Sequence, residues 1–84
     1  MKYSLFILPR AQKELAKLSE KDYLRVKQAI LRLGSDPRGS GCAELVAREG
    51  WKIRVGNYRV IYEIDDSAKK VTVLHIGHRK DVYR

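Results

Sequence analysis

The fold is decided by the stretch Trp51-Lys52-Ile53-Arg54-Val55-Gly56-Asn57-Tyr58-Arg59-Val60-Ile61-Tyr62. Apolar and polar residues alternate on both sides of Gly56-Asn57, and this dipeptide is typical of two-residue hairpin loops. Counting outward from the loop places Val55 opposite Tyr58. The same count places Arg54 opposite Arg59. The sequence therefore predicts an antiparallel hairpin whose two faces differ in chemistry.

One face of the predicted hairpin is apolar and is expected to pack against helices; it comprises Trp51, Ile53, Val55, Tyr58, Val60 and Tyr62. The other face carries Lys52, Arg54 and Arg59, with Glu63 further from the turn. Two arginines directly opposite each other disfavour a sheet by a few tenths to about 1 kcal/mol. Because guanidinium and ammonium groups bind phosphate oxygens, this face predicts a phosphodiester site. The alternative is an ordinary solvated face rich in Lys and Arg.

The N-terminal half predicts a strand followed by two helices. Residues 2–8 (KYSLFIL) are typical of a strand, and Pro9 both ends it and suits a first helical turn. Apolar side chains then recur at helical spacing in two runs, Ala11, Leu15 and Leu18, then Tyr23, Val26, Ile30 and Leu33. Ser19 is expected to cap the second helix, and Gly34 is expected to end it.

Residues 34–50 predict a turn-rich loop and a short strand over 43–47, and residues 65–70 predict a polar turn. A last strand over 71–76 and a charged tail over 77–84 follow the hairpin. The predicted fold is α+β, a single domain over residues 1–84. It has an N-terminal strand, a helical hairpin and then a three- to four-stranded antiparallel sheet with the helices on one face.

Composition indicates a basic domain that acts in a reducing compartment. The net charge of +8 over 84 residues favours a polyanionic partner, although a merely solubilising surface is the alternative. Cys42 is the one cysteine, so no intrachain disulfide can form. No apolar run approaches a membrane span, and the run over residues 3–8 is too short for a signal peptide. We therefore expect a cytoplasmic protein with no membrane partner.

The tail contributes a second set of candidate residues. His78 is a candidate acid–base group, and Arg79 adds a cation. Tyr83 carries a ring that can stack on a base, with anchoring of the terminus as the alternative role. His75 and His78 lack acidic or cysteine partners at metal-ligand spacing, so we expect no metal and no cofactor.

Two motifs resemble a known family. Residues 51–62 resemble the W-K-I/L-R-x-G-x-Y-R-x-I/V-Y signature of the RelE/ParE toxin superfamily of type II toxin–antitoxin systems. The ending His78-Arg79-Lys80-Asp81-Val82-Tyr83 resembles the H-R-x-D-V-Y close of its RelE branch. Because the resemblance covers nearly the whole chain, it implies the RelE-like microbial RNase fold.

The RelE resemblance implies a ribosome-dependent endoribonuclease that cleaves mRNA in the decoding site without a metal. In this reaction the ribose 2′-OH attacks the adjacent phosphate and leaves a cyclic phosphate and a free 5′-OH. Carried over by position, the resemblance implies a catalytic set of Lys52, Arg54, Arg59, Arg79 and Tyr83, with His78 as an additional acid–base group. Arg54 and Arg59 would stabilise charge on the phosphate, and Lys52 is the candidate general base.

The implied partners are an acidic cognate antitoxin, the ribosome and mRNA, with a toxin–antitoxin hetero-oligomer as the neutralised form. Two other functions remain open. One is a ParE-like inhibitor of DNA gyrase without nuclease activity. The other is a non-catalytic RNA- or ribosome-binding module.

Overall fold

A computed structural model describes residues 2–46 and 48–78 of the chain. Its elements, in chain order, are β1 (Ser4–Ile7), α1 (Pro9–Ala16), α2 (Glu20–Leu33), β2 (Cys42–Glu44), β3 (Trp51–Val55), β4 (Tyr58–Asp65) and β5 (Lys70–His78). The strands form one sheet in the order β1-β5-β4-β3-β2. The predicted α+β class is therefore confirmed.

The sheet combines an antiparallel body with one parallel edge. Strands β2, β3, β4 and β5 pair antiparallel with one another, as predicted. The N-terminal strand β1 joins the same sheet, and it runs parallel to β5 with Ser4 beside Lys70 and Ile7 beside Val73. The first and last described strands are thus neighbours, with the two helices connecting β1 to the rest of the sheet.

The two helices begin and end where local chemistry requires. Pro9 opens α1, since its fixed φ suits the first turn and its missing N–H is not needed there. At the start of α2, the Ser19 hydroxyl accepts a hydrogen bond from Asp22 N at 3.2 Å. Gly34 caps the other end of α2. The helices and one sheet face enclose a core of Ala11, Leu15, Val26, Ala29, Ile30, Leu33, Ile53, Val60, Tyr62, Val71, Val73 and Ile76.

A side chain from α1 covers an open part of the sheet edge. Pairing between β1 and β5 stops at Ile7, so among the described residues the later half of β5 has a strand neighbour, β4, on one side only. There Glu14 Oε1 accepts a hydrogen bond from Ile76 N at 2.8 Å. Glu14 Oε2 lies 2.6 Å from His75 Nδ1. Glu14 therefore supplies an acceptor that a neighbouring strand would otherwise provide.

A β-bulge at Leu74 keeps the core face of β5 continuous. Ile61 pairs with His75 while Tyr62 pairs with Val73, so Leu74 has no partner in β4. In a regular strand, residues three apart point to opposite faces. Because the bulge adds one residue to β5, the side chains of Val73 and Ile76 point to the same face of the sheet. Both are buried in the core.

Several predicted strand boundaries are wrong. The short strand predicted over 43–47 is Cys42–Glu44, because Leu45 N bonds Gly50 O at 3.0 Å and closes a turn there. The last strand is longer than predicted and contains Gly77 and His78, which were expected in the tail. These two residues extend β5 because β4 continues to the hairpin turn and offers them partners. The N-terminal strand is shorter, Ser4–Ile7.

The loop after α2 is held by a polar network at one end of the sheet. Both Arg38 Nη atoms donate to the Asp66 carboxylate, at 2.7 and 3.1 Å, and the Tyr3 hydroxyl donates to it at 2.6 Å. The hydrogen bonds from Arg38, then from Tyr3, lower the pKa of Asp66 from 3.8 to about 2. The buried Tyr62 hydroxyl donates to Pro37 O at 2.6 Å. The loop is therefore fixed to the β4–β5 turn and to the core.

Neither α1 nor α2, the helices within residues 2–46 and 48–78, is long and apolar enough to cross a membrane.

Candidate functional site

The β3–β4 hairpin has the predicted register. Val55 pairs with Tyr58 and Arg54 pairs with Arg59 across the two-residue loop. Gly56 has a φ of +60°, a conformation that costs glycine little and other residues more. The loop therefore sets the two arginines opposite each other, as counting along the sequence predicts.

Three cations from this hairpin line one cavity. Lys52, Arg54 and Arg59 surround a space of about 200 Å³ together with Gly41 and Ala43. Arg54 is exposed, whereas Lys52 and Arg59 are half-buried. The Nε atom of Arg59 is buried, so part of its guanidinium group is withdrawn from solvent. A cavity with three converging cationic side chains can bind a phosphate and stabilise added negative charge on it.

Strand β2 supplies a wall of this cavity. Ala43 is the partner of Lys52 across the β2–β3 ladder, and its small side chain leaves the space beside Lys52 open. Residues 43–47 carry only a weak strand signal, and no polar residue at 41–43 marks this segment as part of a site. Position on or next to the outer strand, rather than chemistry, makes Gly41 and Ala43 part of the cavity.

The cationic face also has a buried apolar residue, Ile61. It is 3% exposed and does not belong to the helix-side core, since it lies on the same face as Arg59. Its partners across the sheet are Lys52 on β3 and His75 on β5. Alternation along the strand places Ile61 on the polar face. An apolar β-branched residue at such a position is the sequence signal that this part of the face is buried. The cationic cavity thus lies beside apolar surface.

The remaining predicted residues are distributed differently. His78 pairs with Tyr58 on the helix-facing side of the hairpin, and the two ring centroids are 5.9 Å apart. The structure therefore separates His78 from the Lys52 cavity. Arg79 and Tyr83 lie outside the described residues. Glu63 lines a different cavity, beside Arg48.

Residues 2–46 and 48–78 contain no group of three or more His, Cys, Asp or Glu side chains that could hold a metal ion. The charged side chains that line the Lys52 cavity are those of Lys52, Arg54 and Arg59.

Comparison with known proteins places this geometry in a family. Residues 5–83 match the model of the family described as the ParE toxin of type II toxin–antitoxin systems. Toxin RelG of Mycobacterium tuberculosis (strain ATCC 25618 / H37Rv) is 48% identical over 31 residues. That match spans 37% of this chain and 36% of RelG, so the chain is aligned with about a third of that relative.

Two solved structures are similar over nearly the whole fold. The toxin–antitoxin complex RelBE2 of Mycobacterium tuberculosis contains a chain with a TM-score of 0.81 and 28% identity, covering 94% of this chain and 100% of that one. The isolated Escherichia coli RelE toxin gives a TM-score of 0.78 and 27% identity, covering 96% and 90%. The hairpin, the helices and the sheet order thus agree with the match to the family model. The chain belongs to the ParE toxin family within the RelE/ParE superfamily, and is a toxin of a type II toxin–antitoxin system.

Proposed function

We propose that this toxin is a ribosome-dependent endoribonuclease that cleaves mRNA in the decoding site. The observation that carries the proposal is the cavity in which Lys52, Arg54 and Arg59 converge. Like charges set opposite each other on neighbouring strands weaken a sheet, so folding alone does not favour them. A phosphodiester ligand accounts for their placement, because each cation gains an anionic oxygen when the ligand binds.

The reaction needs charge stabilisation more than it needs a metal. The ribose 2′-oxygen forms a bond to phosphorus, the bond from phosphorus to the 5′-oxygen breaks, and a cyclic phosphate and a 5′-OH result. Negative charge grows on the phosphate oxygens during this step. Arg54 and Arg59, held rigidly on paired strands, are placed to donate hydrogen bonds to those oxygens.

One side chain of the site accepts a proton in the proposed reaction, and the others stabilise charge or orient the substrate. In its uncharged amine form, Lys52 accepts the 2′-OH proton in this scheme, since it lines the same cavity as both arginines. Arg54 stays protonated and therefore serves only as a hydrogen-bond donor. Arg79 stabilises the leaving 5′-oxygen, which takes its proton from solvent water as its bond to phosphorus breaks. Tyr83 stacks on a base and orients the attack. His78 receives no step in this scheme, because its ring contacts Tyr58 on the other face of the hairpin.

The decisive experiment incubates the purified toxin with translating ribosomes and maps the 5′ ends of the mRNA. Codon-dependent cuts with a 5′-OH on the downstream fragment support the proposal. Arg59→Leu should abolish these cuts, whereas Arg48→Leu should not, since Arg48 lines a different cavity. Ribosome binding with intact mRNA would instead indicate a non-catalytic binding module.

Inhibition of DNA gyrase is the second candidate, and the match to the ParE family model over residues 5–83 favours it. A gyrase inhibitor needs the fold but not a phosphate-binding cavity. Gyrase–DNA cleavage complexes that accumulate without RNA cuts would establish this function and reject the nuclease.

We also propose an acidic antitoxin as the partner of this chain. The solved structures that resemble it include RelBE toxin–antitoxin complexes, and the net charge of +8 suits an acidic segment. Expression of the toxin alone in a bacterium should arrest growth, and co-expression of the neighbouring acidic gene product should restore it. Normal growth with abundant folded toxin would contradict the proposal.

A further inference from the structure

A second cavity lies on the helix-facing side of the β3–β4 hairpin, away from Lys52 and Arg59. Its volume is about 160 Å³, and α2 and the hairpin turn form its walls. Sites for drug-sized ligands occupy roughly 300–1,000 Å³. This cavity is therefore the right size for one small planar group rather than for a large ligand.

The polar groups of this cavity combine one acceptor with one donor. Asp22 and Arg25 are three residues apart on α2, so their side chains lie on the same side of the helix. The Tyr58 hydroxyl donates to Asp22 Oδ2 at 3.2 Å and orients the carboxylate. Asp22 and Arg25, both within the described part of the chain, do not form an ion pair with each other. Neither side chain therefore neutralises the other.

The exposed side chain of Arg25 lies close to the hairpin turn. A Cβ atom at Gly56 would lie only 3.3 Å from Arg25 Nη2 and 3.4 Å from Nη1. The absence of a side chain at Gly56 thus makes room for the guanidinium group. The planar guanidinium group of Arg25, with its N–H donors, lines the cavity together with the Asp22 carboxylate.

Two rings form a corner of the same cavity. The rings of Tyr58 and His78 meet at 77°, with their centroids 5.9 Å apart. Val26, which is fully buried, lies in the apolar wall behind this corner. A planar heteroaromatic ligand can stack on one ring while its edge meets the other.

We propose that this cavity binds guanine, from a free guanine nucleotide or from an unpaired guanosine in RNA. A carboxylate repels phosphate, so in a chain of charge +8 the Asp22 side chain indicates recognition of N–H groups rather than of a backbone. Guanine offers N–H donors at N1 and N2 and acceptors at O6 and N7 on the adjoining edge. Asp22 accepts from the first pair, and Arg25 donates to the second. Adenine lacks this combination.

A groove next to the cavity can hold the phosphate of the bound nucleotide. It has a volume of about 670 Å³ and is lined by Arg25, Gln28, Arg32 and Arg54, and it shares Gly56 with the guanine cavity. Arg54 also lines the Lys52 cavity on the other face. One RNA strand can therefore pass from the Lys52 cavity to the guanine cavity. RNA as the source of the guanine rests on the proposed function, whereas the preference for the base does not.

The test is a nuclear magnetic resonance titration of the purified toxin with GMP, IMP, AMP and CMP, followed at the ring protons of Tyr58 and His78. We expect GMP to bind most tightly. IMP, which lacks the N2 amino group, should bind more weakly. AMP and CMP should be weaker than GMP by about tenfold or more, since a bidentate contact to a base edge discriminates by that order. Equal binding of GMP and AMP would overturn the inference.

Substitutions of Asp22 and Arg25 test whether these residues recognise the guanine base. Asp22→Asn should remove most of the preference for GMP over AMP, and the Asn oxygen can still accept from Tyr58, so the fold is kept. Arg25→Lys keeps the charge but loses the fork, and should also reduce that preference. Glu20→Gln, which changes another acid in the first turn of α2, is the matched control and should keep it. A GMP preference that survives Asp22→Asn in a folded protein would reject this site.

The two sources of guanine are separated with RNA. A short oligouridine that contains one guanosine should compete with GMP at this cavity, whereas all-uridine RNA should not. Competition by GTP but not by this oligonucleotide would assign the cavity to a free nucleotide and reject the RNA source. mRNA cleavage on ribosomes is measured separately. A toxin that cuts no mRNA but prefers GMP would therefore retain this inference and lose the proposed function.

Discussion

Arg54 and Arg59 lie directly opposite each other across the β3–β4 ladder, on the face that does not pack against the helices. Side chains at such positions are about 5 Å apart at Cβ, so the two positive charges repel each other within the folded sheet. Separation in the unfolded chain relieves this repulsion. The pair therefore introduces a repulsive contact into the sheet while it concentrates positive charge at one cavity.

A double-mutant cycle on these arginines should measure that repulsion. Arg54→Leu or Arg59→Leu should each leave stability unchanged or raise it by up to about 1 kcal/mol. The double variant should gain less than the sum, since one substitution already removes the repulsion. Chemical denaturation at low salt measures the coupling energy. High salt should shrink it, and a cycle that is additive at low salt would show that the charges do not interact.

In the same variants, activity should move in the other direction. If Arg59 donates to the scissile phosphate, its loss should lower single-turnover cleavage on ribosomes by about 10²–10³-fold. Arg48→Leu is the control with equal loss of charge. A variant of Arg59 that loses activity only in proportion to its folded fraction would show a structural role for this arginine.

Removing the side chain of Glu14 should destabilise the protein. In Glu14→Ala, the N–H of Ile76 loses its acceptor in a part-buried position, which costs about 1–3 kcal/mol. Glu14→Gln should cost less, because the amide oxygen can still accept that hydrogen bond. Thermal and chemical unfolding measure both effects, with exposed Glu20→Ala as the control. Equal losses for Ala and Gln would show that the contact with His75, not the edge hydrogen bond, provides the stabilisation.

Stability should fall at acid pH through Asp66. Its folded-state pKa of about 2 lies below the ordinary value of 3.8, so its ionised form favours folding above about pH 4. This contribution is lost as the pH falls from about 4 to 2. Asp66→Asn should therefore lower the melting temperature at pH 7, and the difference from wild type should shrink below about pH 4 and disappear below about pH 2. If the melting temperatures of wild type and Asp66→Asn fell in parallel as the pH was lowered, Asp66 would be excluded as a source of the pH dependence.

RNA binding should weaken steeply with salt if the cationic cavity contacts phosphates. Each phosphate contact to single-stranded RNA contributes about −0.7 to the slope of log K against log salt. Lys52→Ala and Arg54→Ala should each reduce that slope by about this amount, and Arg48→Ala should leave it unchanged. Fluorescence anisotropy with a short RNA between low and moderate salt gives the slopes. Identical slopes for all the variants would place the phosphates elsewhere.

The parts of the fold that follow local rules could be predicted from sequence. Alternation and the Gly56-Asn57 loop fix the hairpin register, because a shift of one residue would expose the apolar face. Ser19 and Pro9 start their helices by local hydrogen bonding and backbone geometry. The convergence of Lys52 with both arginines follows from the same counting.

The parts that depend on distant segments could not be predicted. Parallel pairing of β1 with β5 joins residues more than sixty positions apart, and no local pattern signals it. The bulge at Leu74 depends on the register between β4 and β5, and the edge contact from Glu14 depends on where α1 lies beside β5. For the same reason, nothing local indicated that His78 would face Tyr58 rather than Arg59.

The place of β5 in the sheet has a consequence for when the toxin can fold. The last described strand, β5, lies between β1 and β4 in the sheet. Strand β1 is synthesised first, but it cannot join the sheet until β5 has been synthesised. During synthesis at about 5–20 residues per second, the emerging chain has helices and a hairpin but no completed sheet. The cationic cavity therefore gains its full support only after residues 70–78 have left the ribosome. The order of strands thus delays maturation of this toxin until nearly all of the described chain has been made.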